Sequence, residues 1–244
     1  MFPAYRKLYF NFKNKKDHHH LYLLRRIIKP GDEVLDIGGN IGFFTKFLSQ
    51  CVGEAGHVHS FEPDSTNFSH LKKEVEGIRQ VTLINKAVAA ESGKLTLYTS
   101  DLLNVDHRTY KPENYSGSYT VEKIAIDDYI GGRFKVDFVK MDIQGYEIDA
   151  VMGMKETLMA NHDIILFTEF WPYGLKQAEG SSIELFDLFI SFGFMIYRVD
   201  GSKLVHMTRE EAASMRVEYF TDANILLSRN NIFERFNFSE KETR

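Results

Sequence analysis

The sequence has little of what usually stabilises small secreted proteins or anchors membrane proteins. Its 244 residues include five prolines and one cysteine, Cys51, so an intramolecular disulfide is excluded. No stretch is long and apolar enough to predict a membrane-spanning helix, and the first residues lack the apolar core of a secretion signal. We therefore expect a cytoplasmic protein with one sizeable hydrophobic core and no transmembrane segment.

Charge is distributed unevenly along the chain. The formal net charge of −4 argues against a surface that binds nucleic acid throughout, and we expect no nucleic-acid partner. Residues 1–29 nevertheless contain eight Lys and Arg against one acidic residue, Asp17. This basic N-terminal arm and helix is either a solvated segment or a lid that meets an anionic acceptor or surface.

Apolar segments typical of strands alternate with amphipathic helical segments over residues 30–229. The seven predicted strands of a central sheet are 34–38, 57–62, 81–85, 136–141, 164–168, 194–199 and 224–227. Two further β segments are predicted at 94–99 and 121–126, and residues 230–244 are predicted to form a polar C-terminal tail. This alternation predicts an α/β domain with a mostly parallel sheet and helices on both faces, so ligands should bind beyond the carboxyl ends of the strands.

The glycine-rich turn after the first strand is the strongest functional signal. A dinucleotide fingerprint needs glycine at positions 40 and 43, where the chain has Asn40 and Phe43, so a nicotinamide oxidoreductase is disfavoured. An acidic residue in the strand followed by G-x-N-x-G resembles motif I of class I methyltransferases, which bind S-adenosylmethionine (SAM) there. The cofactor-binding residues predicted in this turn are Asp36, Gly38, Gly39, Asn40 and Gly42.

Glu62 ends the second predicted strand, 20 residues after Gly42. A carboxylate at this position can accept hydrogen bonds from both ribose hydroxyls of a nucleoside. Pro63 and a helix start at Asp64 restrict the backbone around it, which favours a positioned side chain. We therefore predict that Glu62 binds the ribose of the cofactor.

Four segments together resemble the FkbM family of methyltransferases over about residues 30–170. They are 34–42, 61–63, 85–88 and 139–147. The last segment resembles the family pattern K-x-D-x-E-G-x-E, from which Gln144 departs by replacing a carboxylate with an amide. The resemblance implies a Rossmann-like class I fold whose last strand is antiparallel, with Asn85 and Ala87 lining the adenine end of the SAM site.

The resemblance also implies methylation of a hydroxyl oxygen on a sugar, glycan or natural-product acceptor. Asp142 follows the fourth predicted strand and Glu169 follows the fifth, so both are predicted catalytic residues, as a base and an acceptor-orienting group. The two carboxylates could instead hold Mg²⁺, but only two are well placed and the metal-free alternative is favoured. Lys140, inside an apolar strand, is expected to pair with Asp142 or Glu147.

Residues 101–120 lack a helix or strand period and are long for a loop in a compact domain. They contain His107, a predicted alternative base, among tyrosines that suit a sugar. This segment is either an acceptor-binding loop beside the 1–29 arm or a surface excursion. A competing interpretation of the whole chain is a non-catalytic SAM-binding or scaffold protein, which an assay of methyl transfer would distinguish from an enzyme.

Overall fold

The computed structural model describes residues 2–99 and 117–238. Its strands are β1 (Glu33–Ile37), β2 (His57–Phe61), β3 (Val81–Ile84), β4 (Ala87–Val88), β5 (Gly93–Thr99), β6 (Gly117–Ile124), β7 (Phe138–Met141), β8 (Ile165–Phe170), β9 (Met195–Asp200), β10 (Lys203–His206) and β11 (Ala223–Ser228). Its helices are α1 (Phe2–Lys16), α2 (His18–Ile27), α3 (Phe43–Val52), α4 (Ser65–Glu74), α5 (Ile126–Ile130), α6 (Glu147–Met152), α7 (Lys155–Ala160), α8 (Pro172–Gln177), α9 (Ser182–Ser191), α10 (Arg209–Ser214) and α11 (Ile232–Phe236).

The larger sheet has the strand order β10-β9-β11-β8-β7-β1-β2-β3. Within this sheet the five neighbouring strands β8, β7, β1, β2 and β3 pair in parallel. Strand β11 is antiparallel to both of its neighbours, β8 and β9. The predicted Rossmann-like fold with an antiparallel last strand is confirmed. The predicted number of seven strands is wrong for this sheet, which has eight. The additional strand, β10, forms a tight hairpin with β9 through Gly201, and its four residues lack the apolar run that marks the other strands.

A second, three-stranded sheet has the order β4-β6-β5. It contains both of the additional β segments predicted from the sequence, but β6 begins at Gly117 rather than Val121. The last four residues of the predicted 101–120 loop are therefore strand, paired with β5 in antiparallel register. The start of β6 was not predicted because this stretch is rich in polar and aromatic residues and the strand has only one buried residue, Val121.

Helices cover both faces of the larger sheet, as predicted. Alternate residues of β1 divide between the two cores: Leu35 and Ile37 pack with the helices on one face, and Val34 packs with those on the other. The first core is formed with α5, α6, α7, α8, α9 and α10, and the second with α2, α3 and α11. No helix among the described residues has both the length and the apolarity needed to cross a membrane.

Both terminal segments contribute side chains to the second core. Within the 1–29 arm, α2 buries Leu23, Leu24 and Ile27 in the second core, so this half of the arm belongs to the body of the protein. The prediction of a polar tail from residue 230 is wrong for its first nine residues, because Ile232 of α11 is fully buried and Phe238 packs in the same core. Aromatic and aliphatic residues at this end were outweighed by their polar neighbours in the sequence pattern.

The packing of α11 gives a stability test. Ile232→Ala removes buried methyl groups and should lower the free energy of unfolding by about 2–4 kcal/mol, measured by chemical denaturation. Met159→Ala, a matched truncation at a side chain that is 75% exposed, should change it by less than about 0.5 kcal/mol. Equal effects of the two substitutions would show that residues beyond 230 do not contribute to the core.

Candidate active site

A buried ion pair lies beneath the glycine turn at the centre of the larger sheet. Asp36 of β1 is in register with Lys140 of β7 and Ser60 of β2. The Lys140 Nζ lies 3.6 Å from Asp36 Oδ1 and donates a hydrogen bond of 3.0 Å to the carbonyl of Gly38. Asp36 Oδ2 accepts hydrogen bonds from Thr45, at 2.6 Å, and from Ser60. The expectation that Lys140 pairs with Asp142 or Glu147 is wrong, because Asp36 lies directly opposite Lys140 on the neighbouring strand, whereas Asp142 lies beyond the end of β7 and Glu147 lies on α6.

The backbone at Gly38 requires glycine. Its φ of +87° is a conformation that residues with a side chain rarely adopt. A Cβ at Gly38 would lie 2.1 Å from the carbonyl oxygen of Asp142, so the turn after β1 presses directly against the end of β7. This contact places the predicted cofactor-binding turn directly beside Asp142, the predicted catalytic residue.

Glu62, at the end of β2, is held by the backbone on both sides. Its Oε2 accepts a hydrogen bond of 2.8 Å from the amide of Asn40, and its Oε1 accepts one of 3.0 Å from the amide of Asp64. The side chain is nevertheless buried, and burial raises the pKa of Glu62 to about 7. Asn85 fixes the same backbone from β3, donating hydrogen bonds to the carbonyls of Glu62 and Pro63.

One cavity of about 470 Å³ opens at the carboxyl ends of β1, β2, β7 and β8. It has the size of a small-molecule site. Seven residues predicted from the sequence line it: Gly38, Gly39, Asn40, Glu62, Ala87, Asp142 and Glu169. The other predicted cofactor residues support the wall from behind: Asp36 lies beneath the turn, Gly42 caps α3, and Asn85 anchors Glu62.

The carboxyl groups of Asp142 and Glu169 lie together at one end of this cavity. The amide nitrogen Nε2 of Gln144 lies between them, 2.9 Å from Asp142 Oδ1 and 3.1 Å from Glu169 Oε2. Burial, followed by the nearby charges of Asp142 and Glu147, raises the pKa of Glu169 well above its ordinary value. Among the described residues, no group of three or more acidic, His or Cys side chains is arranged to hold a metal ion.

The N-terminal helix α1 contributes to the wall of the cavity, and in the sequence this segment stands out only by its positive charge. Its lining side chains are Tyr9, Phe12, Lys13 and Lys16, and Tyr219 lines the cavity from the segment before β11. The spacing i, i+3, i+4, i+7 along α1 marks one face of a helix and could have identified this wall. His107, the predicted alternative base, lies outside the described residues.

Comparison with known proteins identifies the family. The family described as the methyltransferase FkbM domain matches residues 36–198. The chain belongs to the FkbM methyltransferases. This membership makes it a SAM-dependent methyltransferase, in agreement with the resemblance seen in the four sequence segments.

Two relatives are named by their activity. This FkbM methyltransferase is 24% identical to the 2-O-methyltransferase NoeI of Sinorhizobium fredii over 210 residues, which are 78% of this chain and 85% of NoeI. It is 26% identical to the hexuronic acid methyltransferase AglP of Haloferax volcanii over 148 residues, 59% of each protein. A candidate rRNA methylase from Clostridium thermocellum shares the fold, with a TM-score of 0.52 at 14% identity over 86% of this chain and 95% of that one.

The buried carboxyl groups predict how stability depends on pH. Burial raises the pKa of Glu147 to about 7, above that of an unfolded glutamate, so its contribution to stability is present at low pH and is lost as pH rises through 7. Glu147→Gln removes this titration. The free energy of unfolding of the wild type minus that of the variant should fall by up to about 3 kcal/mol between pH 5 and 8.

Denaturant titrations at several pH values measure this difference. Contributions from groups that do not interact with Glu147, such as Glu62, cancel between the two proteins, whereas Glu169, whose pKa the charge of Glu147 raises, contributes part of the difference. A difference that stays constant from pH 5 to 8 would contradict the raised pKa.

Proposed function

We propose that this FkbM methyltransferase transfers the methyl group of SAM to a hydroxyl oxygen of a sugar, glycan or similar small-molecule acceptor. The proposal depends on one observation above all. One cavity is lined both by the backbone-held carboxylate of Glu62, which follows β2, and by the carboxyl groups of Asp142 and Glu169, which lie at the ends of β7 and β8 on the other side of β1. A nucleoside group and a reacting hydroxyl therefore have separate polar partners in the same cavity.

The wall near Glu62 suits the donor. The turn at Gly38, Gly39 and Asn40 has no bulky side chain over the cavity floor, so a ligand can approach the backbone closely. Each oxygen of Glu62 accepts one backbone hydrogen bond and has a second lone pair for a ribose hydroxyl. Ala87 leaves room beside it for a flat base. We assign the nucleoside of SAM to this end.

The opposite end suits proton removal from an alcohol. The acceptor oxygen forms a bond to the methyl carbon as the carbon–sulfur bond breaks, and S-adenosylhomocysteine (SAH) leaves as a neutral thioether. The hydroxyl proton passes to the carboxylate of Asp142, which we assign as the base. Glu169, whose raised pKa favours the protonated form, is assigned the donation of a hydrogen bond that orients the acceptor. Mg²⁺ remains the alternative, and activity that survives chelation with EDTA would exclude it.

The acceptor class is supported by the cavity wall and by the relatives. Tyr9, Phe12 and Tyr219 offer aromatic faces for a sugar ring, and Lys13 and Lys16 offer positive charge. NoeI is named for transfer to an oxygen, and AglP is named for a sugar acid. The 101–120 segment and His107 stay predicted parts of the acceptor site.

The assignment of Glu62 predicts the behaviour of SAH binding. Glu62→Ala removes the acceptor of two ribose hydrogen bonds and should weaken SAH at least about tenfold in calorimetry. The exposed Glu54→Ala serves as the control and should bind as the wild type does. Because the ionised carboxylate is the better acceptor and its pKa is about 7, wild-type affinity should also fall from pH 8 to pH 6. Unchanged affinity in Glu62→Ala would remove Glu62 from the SAM site.

The assignment of Asp142 predicts a separate effect on turnover. Asp142→Asn keeps the shape of the side chain but cannot take a proton, so kcat should fall by about 10²–10⁴ while SAH affinity changes little. Asp200→Asn, on an exposed hairpin, should leave both unchanged. Transfer of labelled methyl from SAM to a panel of sugars and uronic acids provides the assay. Collapse of SAH binding in Asp142→Asn would instead place Asp142 in the donor site.

A further inference from the structure

Gln144 lies where the FkbM pattern has a carboxylate, between the two carboxyl groups assigned to the reaction. Its single amide nitrogen donates to Asp142 on one side, at 2.9 Å, and to Glu169 on the other, at 3.1 Å. The two hydrogens of an NH₂ group are sufficient for both bonds. We propose that Gln144 is the positioning residue that holds Asp142 and Glu169 as a fixed pair at the reacting end of the cavity. This inference rests on the proposed function.

The backbone at Gln144 has a left-handed conformation, and from it the side chain reaches both carboxyl groups. Gln144 has a φ of +57°, a left-handed conformation that residues with a side chain rarely adopt. Gly145 follows with a φ of +101°, and a Cβ there would lie 2.3 Å from the backbone of Gly174 in α8. The turn is therefore pressed against α8 and cannot relax without moving it. A rare conformation that is held by packing is typical of functional sites.

Electrostatics favour an amide over a carboxylate at this position. The charged groups that face the pair are Glu147 from α6, Asp222 from the segment before β11, and Lys140 from β7. Acidic groups predominate, so a further negative charge at residue 144 would be repelled, whereas a neutral donor stabilises both carboxyl groups. The nitrogen of Gln144 faces the carboxyl oxygens because an oxygen in its place would need a proton on both of them.

The bridge leaves one oxygen of each carboxyl group available. Within the described residues, Asp142 Oδ2 and Glu169 Oε1 accept no hydrogen bond from the protein, and both side chains line the cavity. A hydroxyl placed between these oxygens could give its proton to Asp142 while its oxygen accepts a hydrogen bond from Glu169, which keeps its own proton. Gln144 itself lines the cavity next to them, and its role in the reaction is exerted through the pair.

Two substitutions test the role of the bridge in the enzyme. Gln144→Met keeps the length of the side chain but donates no hydrogen bond, and should lower kcat at least tenfold with KM for SAM within twofold of the wild type. Gln144→Glu can donate one hydrogen bond only when it is protonated, so its rate relative to the wild type should fall as pH rises. Gln50→Met and Gln50→Glu, at an exposed position on α3, are the matched controls. Wild-type kcat and pH profile in both Gln144 variants would overturn the inference, as would a loss by the same factor at every pH in Gln144→Glu.

A measurement without turnover separates this inference from the proposed function. Carbon-13 NMR of labelled glutamate carboxyl groups follows the titration of Glu169 in the SAH complex. Loss of a hydrogen bond donated to the carboxylate should move this titration to higher pH in Gln144→Met, and SAH binding reports that the variant is folded. An unchanged titration of Glu169 would refute the bridge even if the wild type transfers methyl groups. A shifted titration in a protein that methylates no alcohol would support the bridge and refute the function.

Discussion

The buried pair of Lys140 and Asp36 is the interaction on which the site depends. A charge at the centre of a parallel sheet is unfavourable unless it is paired and hydrogen-bonded, and Lys140 satisfies this need with Asp36 and the carbonyl of Gly38. The requirement of one buried lysine thus ties together β1, β7 and the glycine turn. The backbone of the cavity floor is tied to that ion pair by the hydrogen bond from Lys140 to the Gly38 carbonyl, and Gly38 presses on Asp142 at the same point.

Above this floor the cavity is electrostatically divided. At one end, backbone amides hold the Glu62 carboxylate in one orientation. At the other, Gln144 donates hydrogen bonds to two carboxyl groups, and burial followed by the charge of Asp142 raises the pKa of Glu169. A cationic donor and a neutral alcohol are reactants that such a division would suit, because the charge of the sulfonium is lost as the methyl group leaves.

Much of this arrangement could be predicted from the sequence, because residues at the ends of successive parallel strands lie at the same edge of the sheet. Gly38 and Glu62 end predicted strands, Asp142 and Glu169 follow predicted strands, and the carboxyl ends of parallel strands meet at one edge. Contacts that depend on the register between neighbouring strands could not be predicted from the sequence. For this reason the predicted ion-pair partner of Lys140 was wrong. A wall formed by the N-terminal arm was only one of two alternatives, and the packing of Ile232 was not predicted, because polar neighbours dominate the pattern in both segments.

The structure of the complex with SAH, determined by crystallography, tests the central claim most directly. The account predicts the ribose hydroxyls within hydrogen-bond distance of the Glu62 carboxylate, and the sulfur facing the end of the cavity that holds Asp142, Gln144 and Glu169. A ribose bound elsewhere, or a sulfur that points away from these carboxyl groups, would contradict the assignment of the two ends and the mechanism that depends on it.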